Sequence, residues 1–381
     1  MMKKIYIKLM FAVLMVSSVS CEKEFLDLVS QDQLSEEVYF KTSEHFRIYS
    51  NDFYKGLWGW SDAQSMLLDR GSDLSGYGSG YGRGIITPDN SDDVWKKSYE
   101  RLRAINILLE KAEVFSGTQQ DIAQYVATAK FFRAYHYFFM LKRFGGVPLV
   151  TKLLDVDSPE LTVPRNSRYE VFAQIKEDLE AVVEGLPKEA SISSAEKGHI
   201  SKEAAQSLLA KALLFEATWE KYVGTSTDGD GVSFGAGSAK PDGYPSIEQM
   251  FQNVVSLSKD VMDNGGFELW NYNEELNNLS MFYLFNLEGG GSNPAGLDKA
   301  TNKEFVFGKY DVNLRKGDTD ISHAAYLSSV NQKFTDMFLC TDGLPVNKSP
   351  LFQGYKSNFE QYYDRDYRLY AYTGANEYEV E

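Results

Sequence analysis

Four histidines, one Asp-Arg-Asp triplet and a set of aromatics on predicted loops are the side chains with chemistry to offer. His45, His136, His199 and His323 are far apart. The sequence has no His-Glu-x-x-His pair, no Cys-x-x-Cys and no Gly-x-Ser-x-Gly elbow in a strand-turn-helix setting. His136 falls on the apolar stripe of a long predicted helix and reads as a core histidine rather than a ligand. Carboxylates are abundant, so composition leaves a paired-carboxylate glycosidase site open, but no pair is singled out. Asp364-Arg365-Asp366 reads as an ion-pair corner, because an arginine fork can hold carboxylates. The expectation is no catalytic residue, no metal ligand and no cofactor.

The aromatics point to binding. Trp58, Trp60, Tyr77, Tyr81 and Arg83 lie before and within a Gly-rich stretch, Gly76 to Gly84. Trp270 and Tyr272 follow Gly265-Gly266. A neutral sugar presents an apolar C–H face that packs on an aromatic ring, and hydroxyls that need nearby Asn, Asp, Arg or Gln. These seven residues are the candidate ligand contacts; for Trp58 and Trp60 a core position is the alternative. Trp95, Tyr99 and Trp219 sit on helical stripes and read as core. The Gly-rich stretch does not fit a phosphate-binding loop, and no clear strand precedes it, so nucleotide binding is not expected.

Cys21 carries a different chemistry. Lys3, Lys4 and Lys8 precede an apolar run from Leu9 to Val16, then Ser17-Ser18-Val19-Ser20 and Cys21. This order is that of a secretory signal, and the apolar run is far shorter than the roughly 20 residues of a membrane span. Small residues followed at once by cysteine resemble a bacterial lipobox, whose thiol takes the lipid. Residues 1–20 are the expected lipoprotein signal peptide and Cys21 the lipid attachment site. The alternative is an ordinary signal cleaved nearby, with Cys21 incidental.

The chain has 381 residues and two cysteines. With Cys21 lipidated, Cys340 has no partner, so stability must come from a packed core. Net charge is −15, and more negative still once the three lysines of the signal are gone. That argues against nucleic-acid binding, which needs a basic stripe, and against adsorption to anionic lipid.

The elements that must position these residues are helical. Phe46, Tyr49, Phe53 and Leu57 share one helical face after a restart at Thr42-Ser43-Glu44. Trp95, Tyr99, Leu102, Ile105 and Leu109 make a second stripe. Ile122, Tyr125, Ala129, Phe132, His136, Phe139 and Arg143 make the returning helix, stopped at Gly145-Gly146. A second pair runs through Tyr169, Phe172, Ile175, Leu179 and Val182, then from Ser201 through Ala205, Leu208, Ala212, Phe215, Trp219 and Tyr222. A third helix opens at Ser246 with Ile247, Phe251, Val254, Leu257 and Val261, without an evident partner. Each hairpin has one apolar face and needs a neighbour to bury it, the logic of helical repeats. Asp228-Gly229-Asp230-Gly231 lacks the carboxylate at position twelve of a calcium loop, where Ala239 stands, and reads as a surface loop. Glu304 to Tyr310 alternates as a short strand would. Tyr355, Phe359, Tyr362, Tyr363 and Tyr367 cluster in a loop-rich end.

Several stretches now line up in order. Phe25-Leu26-Asp27 follows the cysteine. Val94-Trp95-Lys96-Lys97-Ser98-Tyr99 leads to Ile105-Asn106-Ile107-Leu108. Ala129-Lys130-Phe131-Phe132-Arg133-Ala134-Tyr135 leads to Phe144-Gly145-Gly146-Val147-Pro148-Leu149-Val150. Arg165-Asn166-Ser167, Lys197-Gly198-His199-Ile200-Ser201 and Tyr363-Asp364-Arg365-Asp366-Tyr367-Arg368 come later. Together, over most of the chain, they resemble the SusD/RagB family of Bacteroidetes surface lipoproteins.

The resemblance implies a mainly α fold: a tetratricopeptide-like helical-hairpin superhelix with long irregular loops and a few short strands. It implies a SusD-like N-terminal helical-repeat domain over 21–225 and a RagB/SusD-type ligand-binding region over 226–381. It implies a non-enzymatic, cell-surface glycan-binding protein, anchored to outer-membrane lipid through Cys21 and facing the cell exterior. Such a protein captures oligosaccharides or polysaccharides and passes them to a SusC-like TonB-dependent transporter. Glu22 and Glu24 are similar to the acidic signal for surface export. Family members usually continue well past the Arg365-Asp366 motif, so this chain is expected to be short at its C-terminal end. Two other classes stay open: a helical-repeat scaffold that binds only proteins, and a glycoside hydrolase.

Overall fold

The computed structural model describes residues 39–57, 74, 92–223, 240–308, 330–357 and 359–373. Among them are nine α-helices: α1 Ser43–Asn51, α2 Asp93–Glu113, α3 Ala123–Phe144, α4 Arg168–Val183, α5 Lys202–Tyr222, α6 Ile247–Asn264, α7 Ser280–Phe285, α8 Gln332–Asp336 and α9 Arg368–Thr373. No helix among the described residues is long and apolar enough to cross a membrane.

The starts follow from local chemistry. Asp92 Oδ1 accepts from the amides of Val94 and Trp95 at 2.8 and 3.1 Å, which begins α2. Ser167 with Glu170, and Ser246 with Gln249, form capping boxes at α4 and α6. Ser201 caps α5. Each side chain satisfies amides that have no partner inside their own helix.

Helices α2 to α6 pack in sequence order, each against the next. The helix from Ser246 therefore does have a partner: it is the preceding helix, α5. This finding also moves the expected boundary at 225/226. The α5–α6 hairpin straddles it, and Met250 belongs to the same core as Ala205, Leu209 and Leu213. Helix α3 lies at the centre, with α1, α2, α4 and α5 around it. Its single sequence stripe understates its burial. Phe131, Phe132, Arg133, Ala134, Tyr137, Phe138, Met140 and Leu141 are all buried, covering more than one face.

Buried ion pairs join the helices at two crossings. Arg133 of α3 holds both carboxylate oxygens of Asp178 of α4 through one guanidinium edge, Nη2 and Nε, at 2.6 and 2.8 Å. Arg168 of α4 holds Glu216 of α5 at 2.5 and 3.2 Å. The Arg168 guanidinium also lies 4.2 Å from the Trp219 ring centroid. Tyr244 donates to Glu216 at 3.0 Å, and Lys240 pairs with Glu220 at 2.6 Å. Burial raises the Glu216 carboxyl, against the pull of Arg168 and Tyr244. Charges this deep are tolerated only with such partners.

After α3 the chain turns at Gly145, whose φ is 71°. A methyl group at Gly146 would sit 2.2 Å from the Asn166 carbonyl oxygen, so this close approach requires glycine. The next stretch, residues 147–152, has no regular secondary structure and no strand beside it among the described residues. Side chains meet its backbone instead. Tyr99 donates to Pro148 O at 2.8 Å. Asn166 Oδ1 accepts from Leu149 N at 2.9 Å. The Tyr137 hydroxyl accepts from Val150 N at 2.7 Å and lies 3.1 Å from Val150 O, to which it donates. Asn106 Nδ2 donates to the carbonyls of Val150 and Lys152. A buried backbone group left without a partner would cost stability, which accounts for this arrangement.

Beyond α6 lies a second, loop-rich layer with its own small core of Trp270, Leu276, Leu284 and Leu287. Helix α9 packs on α7 there. The few short strands expected are not found among the described residues, where pairing takes the form of isolated bridges such as Lys197–His199 and Cys340–Arg365. The described part of the predicted strand, residues 304–308, is irregular.

Candidate functional site

Of the candidate contacts, Trp58, Trp60, Tyr77, Tyr81 and Arg83 lie outside the described residues, as do Cys21 and the signal segment. Trp270 and Tyr272 are described, and they take different parts. Trp270 is only 5% exposed. Its indole N–H donates to Thr301 Oγ1 at 2.9 Å, and its amide donates to Glu304 Oε2 at 2.9 Å. The expectation of a ligand-contacting Trp270 is thus corrected: the ring is needed to fill the small core, and its one polar group is already satisfied.

Tyr272 is half-buried, with its ring 5.0 Å from that of Trp270 and tilted by 58°. Its amide donates to Ser280 Oγ at 2.8 Å, tying it to the start of α7. A compact turn follows. Asn278 N donates to Asn273 O, and Asn277 and Asn278 both adopt left-handed backbone, which asparagine tolerates. Asn271, Glu274, Glu275, Asn277 and Asn278 are exposed on this turn. A half-buried ring packed against a buried indole, followed by a turn of exposed amides and carboxylates, offers the groups a polyhydroxylated ligand needs. The Asn run was not singled out from sequence; Asn-Tyr-Asn-Glu-Glu-Leu-Asn-Asn is the signal that could have found it.

Other aromatics of this layer face solvent. Phe285 and Phe305 are exposed, with ring centroids 6.3 Å apart. Tyr355 is exposed and donates to Asp336 Oδ1 at 2.8 Å. No sequence stripe marked the Phe pair, because Phe285 ends the short helix α7 and Phe305 lies in a loop 20 residues on.

The titratable candidates turn out to be structural. His136 is 3% exposed, its Nε2 has no partner, and burial pushes its pKa down to about 3. It is a neutral core imidazole, packed near Phe132 and against the backbone of Gly56. Arg365 is buried, but it holds no carboxylate. Its two terminal nitrogens donate to the carbonyls of Gln361, Thr335 and Phe338. Asp366 instead takes Arg368, and the Asp364 backbone is left-handed. The expected ion-pair corner is therefore an arginine anchoring loop carbonyls, including those at the end of α8. Cys340 is buried and unpaired.

Comparisons with known proteins bear on what such a molecule is. The family described as starch-binding and associating with the outer membrane, SusD-like, matches residues 24–214. A SusD-like protein of Bacteroides ovatus is 24% identical over 278 residues, covering 68% of this chain and 44% of that one. This chain thus spans less than half the length of that relative. Among solved structures, a SusD-like protein from Bacteroides fragilis is similar with a TM-score of 0.63 at 22% identity, covering 90% of this chain and 62% of that one. A SusD-like carbohydrate binding protein from the same species has a TM-score of 0.62 at 18% identity, over 87% and 59%. At these identities the structures speak for the fold.

Proposed function

This chain belongs to the SusD-like family, and on that premise we propose that it is a cell-surface lipoprotein that captures glycans without cleaving them. The observation that carries the reading is Tyr272: a half-buried ring packed against Trp270, beside an exposed Asn- and Glu-rich turn. One sugar face packs on the ring, and the amides and carboxylates take the hydroxyls. Tyr77, Tyr81, Trp58, Trp60 and Arg83, which lie outside the described residues, are further candidate contacts. Anchoring is through lipid on Cys21, on the outer face of the outer membrane. Captured oligosaccharide passes to a SusC-like TonB-dependent transporter. The long helical hairpins hold the loops and need no chemistry of their own.

The test uses protein made without its lipid and a panel of polysaccharides in affinity gels. Retardation by at least one glycan, with no release of reducing ends, is expected. Turnover that depends on a single carboxylate would overturn the reading. Substituting Tyr272 by Ala should weaken retardation several-fold; stacking on one ring contributes on the order of 1 kcal/mol. The transporter step is tested by purifying the native protein from membranes in mild detergent, where a TonB-dependent barrel should come with it.

A further inference from the structure

The Tyr272 surface leaves the tyrosine-rich end of the chain without a role. Within that end Tyr355 is 47% exposed, yet its side chain is held at two points. Its hydroxyl donates to Asp336 Oδ1 at 2.8 Å, and the Gln332 side chain bonds the same hydroxyl. Its ring meets that of Phe352 edge-on, with centroids 4.9 Å apart and planes at 68°. The Phe352 ring centroid in turn lies 5.4 Å from the buried Arg365 guanidinium. Arg365 donates to the carbonyl of Thr335, the residue before Asp336, at 2.6 Å. One arginine thus ties the loop that carries the ring to the helix end that holds its hydroxyl.

An exposed phenol can bond water instead, and fixing a side chain costs entropy. A ring that is already fixed has little freedom left to lose when a ligand stacks on it. The ligand that suits a fixed, exposed phenol is one with an apolar C–H face and hydroxyls around it. The hydroxyls find partners here. Gln332 and Gln353 are exposed, and the Gln353 amide reaches the exposed Asp364 at 3.4 Å.

We propose that Tyr355 is the centre of a second glycan-stacking site, separate from Tyr272, with Gln332, Gln353 and Asp364 meeting the sugar hydroxyls. The inference rests on the reading of the protein as one that captures glycans, and it gives that capture a second point of contact.

Affinity gels of amylopectin, laminarin and xyloglucan, run with the lipid-free protein, test it. The background is Tyr272→Ala, whose remaining retardation the second site should carry. Adding Tyr355→Ala should lower that remainder roughly three- to ten-fold, the worth of one stacked ring. Adding Tyr355→Phe keeps the ring and should keep most of the affinity, which separates stacking from a disturbed loop or a lost hydroxyl bond. No retardation left in Tyr272→Ala, no further loss with Tyr355→Ala, or an equal loss with Tyr355→Phe would each refute the site while glycan capture by the parent protein stands. Retardation of the parent by none of the three gels would refute glycan capture, and this site with it. Loss with Tyr355→Ala alone but none with Tyr272→Ala would support this site and remove the first.

Discussion

Aromatic rings serve opposite ends in the two halves of this molecule. In the helical scaffold Phe131, Phe132, Phe172, Tyr137 and Tyr169 are all 2% exposed or less. In the loop-rich layer Phe285 is 62% exposed, Phe305 52% and Tyr355 47%. Composition alone does not distinguish these uses. What separates them is repetition: a helix places a ring every three or four residues on one face, where a neighbouring helix covers it. Irregular loops return rings singly and from distant parts of the chain. They can leave a face open, provided something beneath holds the backbone. Trp270 under Tyr272 and Arg365 under the Thr335–Phe338 stretch supply that support.

The comparison is broken most severely at the buried charges of the scaffold. Glu216→Ala leaves Arg168 buried without its partner and should cost about 3–5 kcal/mol in urea unfolding. Replacing both residues by apolar ones of similar size should restore most of it, which distinguishes lost charge balance from lost packing. Trp270→Ala should cost about 3 kcal/mol, but in the loop layer. Hydrogen exchange should accelerate over 266–308 while α3 amides keep their protection. If α3 loses protection equally, the two halves are one cooperative unit and the contrast fails.

Acid sharpens it differently. Burial depresses His136 from the ordinary 6.5 to about 3 in the folded protein. Above pH 6.5 both folded and unfolded forms are neutral and nothing is lost. Between 6.5 and 3 the unfolded chain binds a proton that the folded one excludes. Stability should therefore fall as pH drops, by up to about 1.4 kcal/mol per unit. A His136→Phe variant should flatten that part of the profile. Ser167→Ala removes a helix cap and should cost about 1 kcal/mol. Tyr272→Ala removes a ring packed on the small core beside Trp270 and should likewise cost about 1 kcal/mol, while it weakens glycan retardation.

The scaffold was largely legible in the sequence, because periodicity and caps are local signals. Ser201 and Ser246 mark their helix starts, and Gly145-Gly146 marks a helix end. The partner of the Ser246 helix was not, since pairing across the long intervening segment leaves no trace in spacing. Nor was the Arg133–Asp178 pair, whose members lie on different stripes of different helices. The loop surface was legible only as a class of residue. Trp270 and Tyr272 are two positions apart, yet one is core and the other half-open. Which is which depends on Leu276, Leu284 and Leu287 closing from the far side. The Asp-Arg-Asp motif misled for a related reason: charge complementarity is visible in sequence, whereas carbonyl oxygens are present everywhere and point nowhere until the chain folds.

Val150 illustrates a last consequence. Its N–H and C=O are both met by one phenol, that of Tyr137, as a neighbouring strand would meet them. In a true sheet such rungs belong to the backbone and survive any substitution except proline. Here each rung is genetically separable. A single oxygen atom removed from Tyr137 frees the Val150 N–H, while the Val150 carbonyl keeps its bond from Asn106 and the fastenings from Tyr99 and Asn166 stay in place. The path of the chain between α3 and α4 is thus written in individual side chains and can be edited one bond at a time.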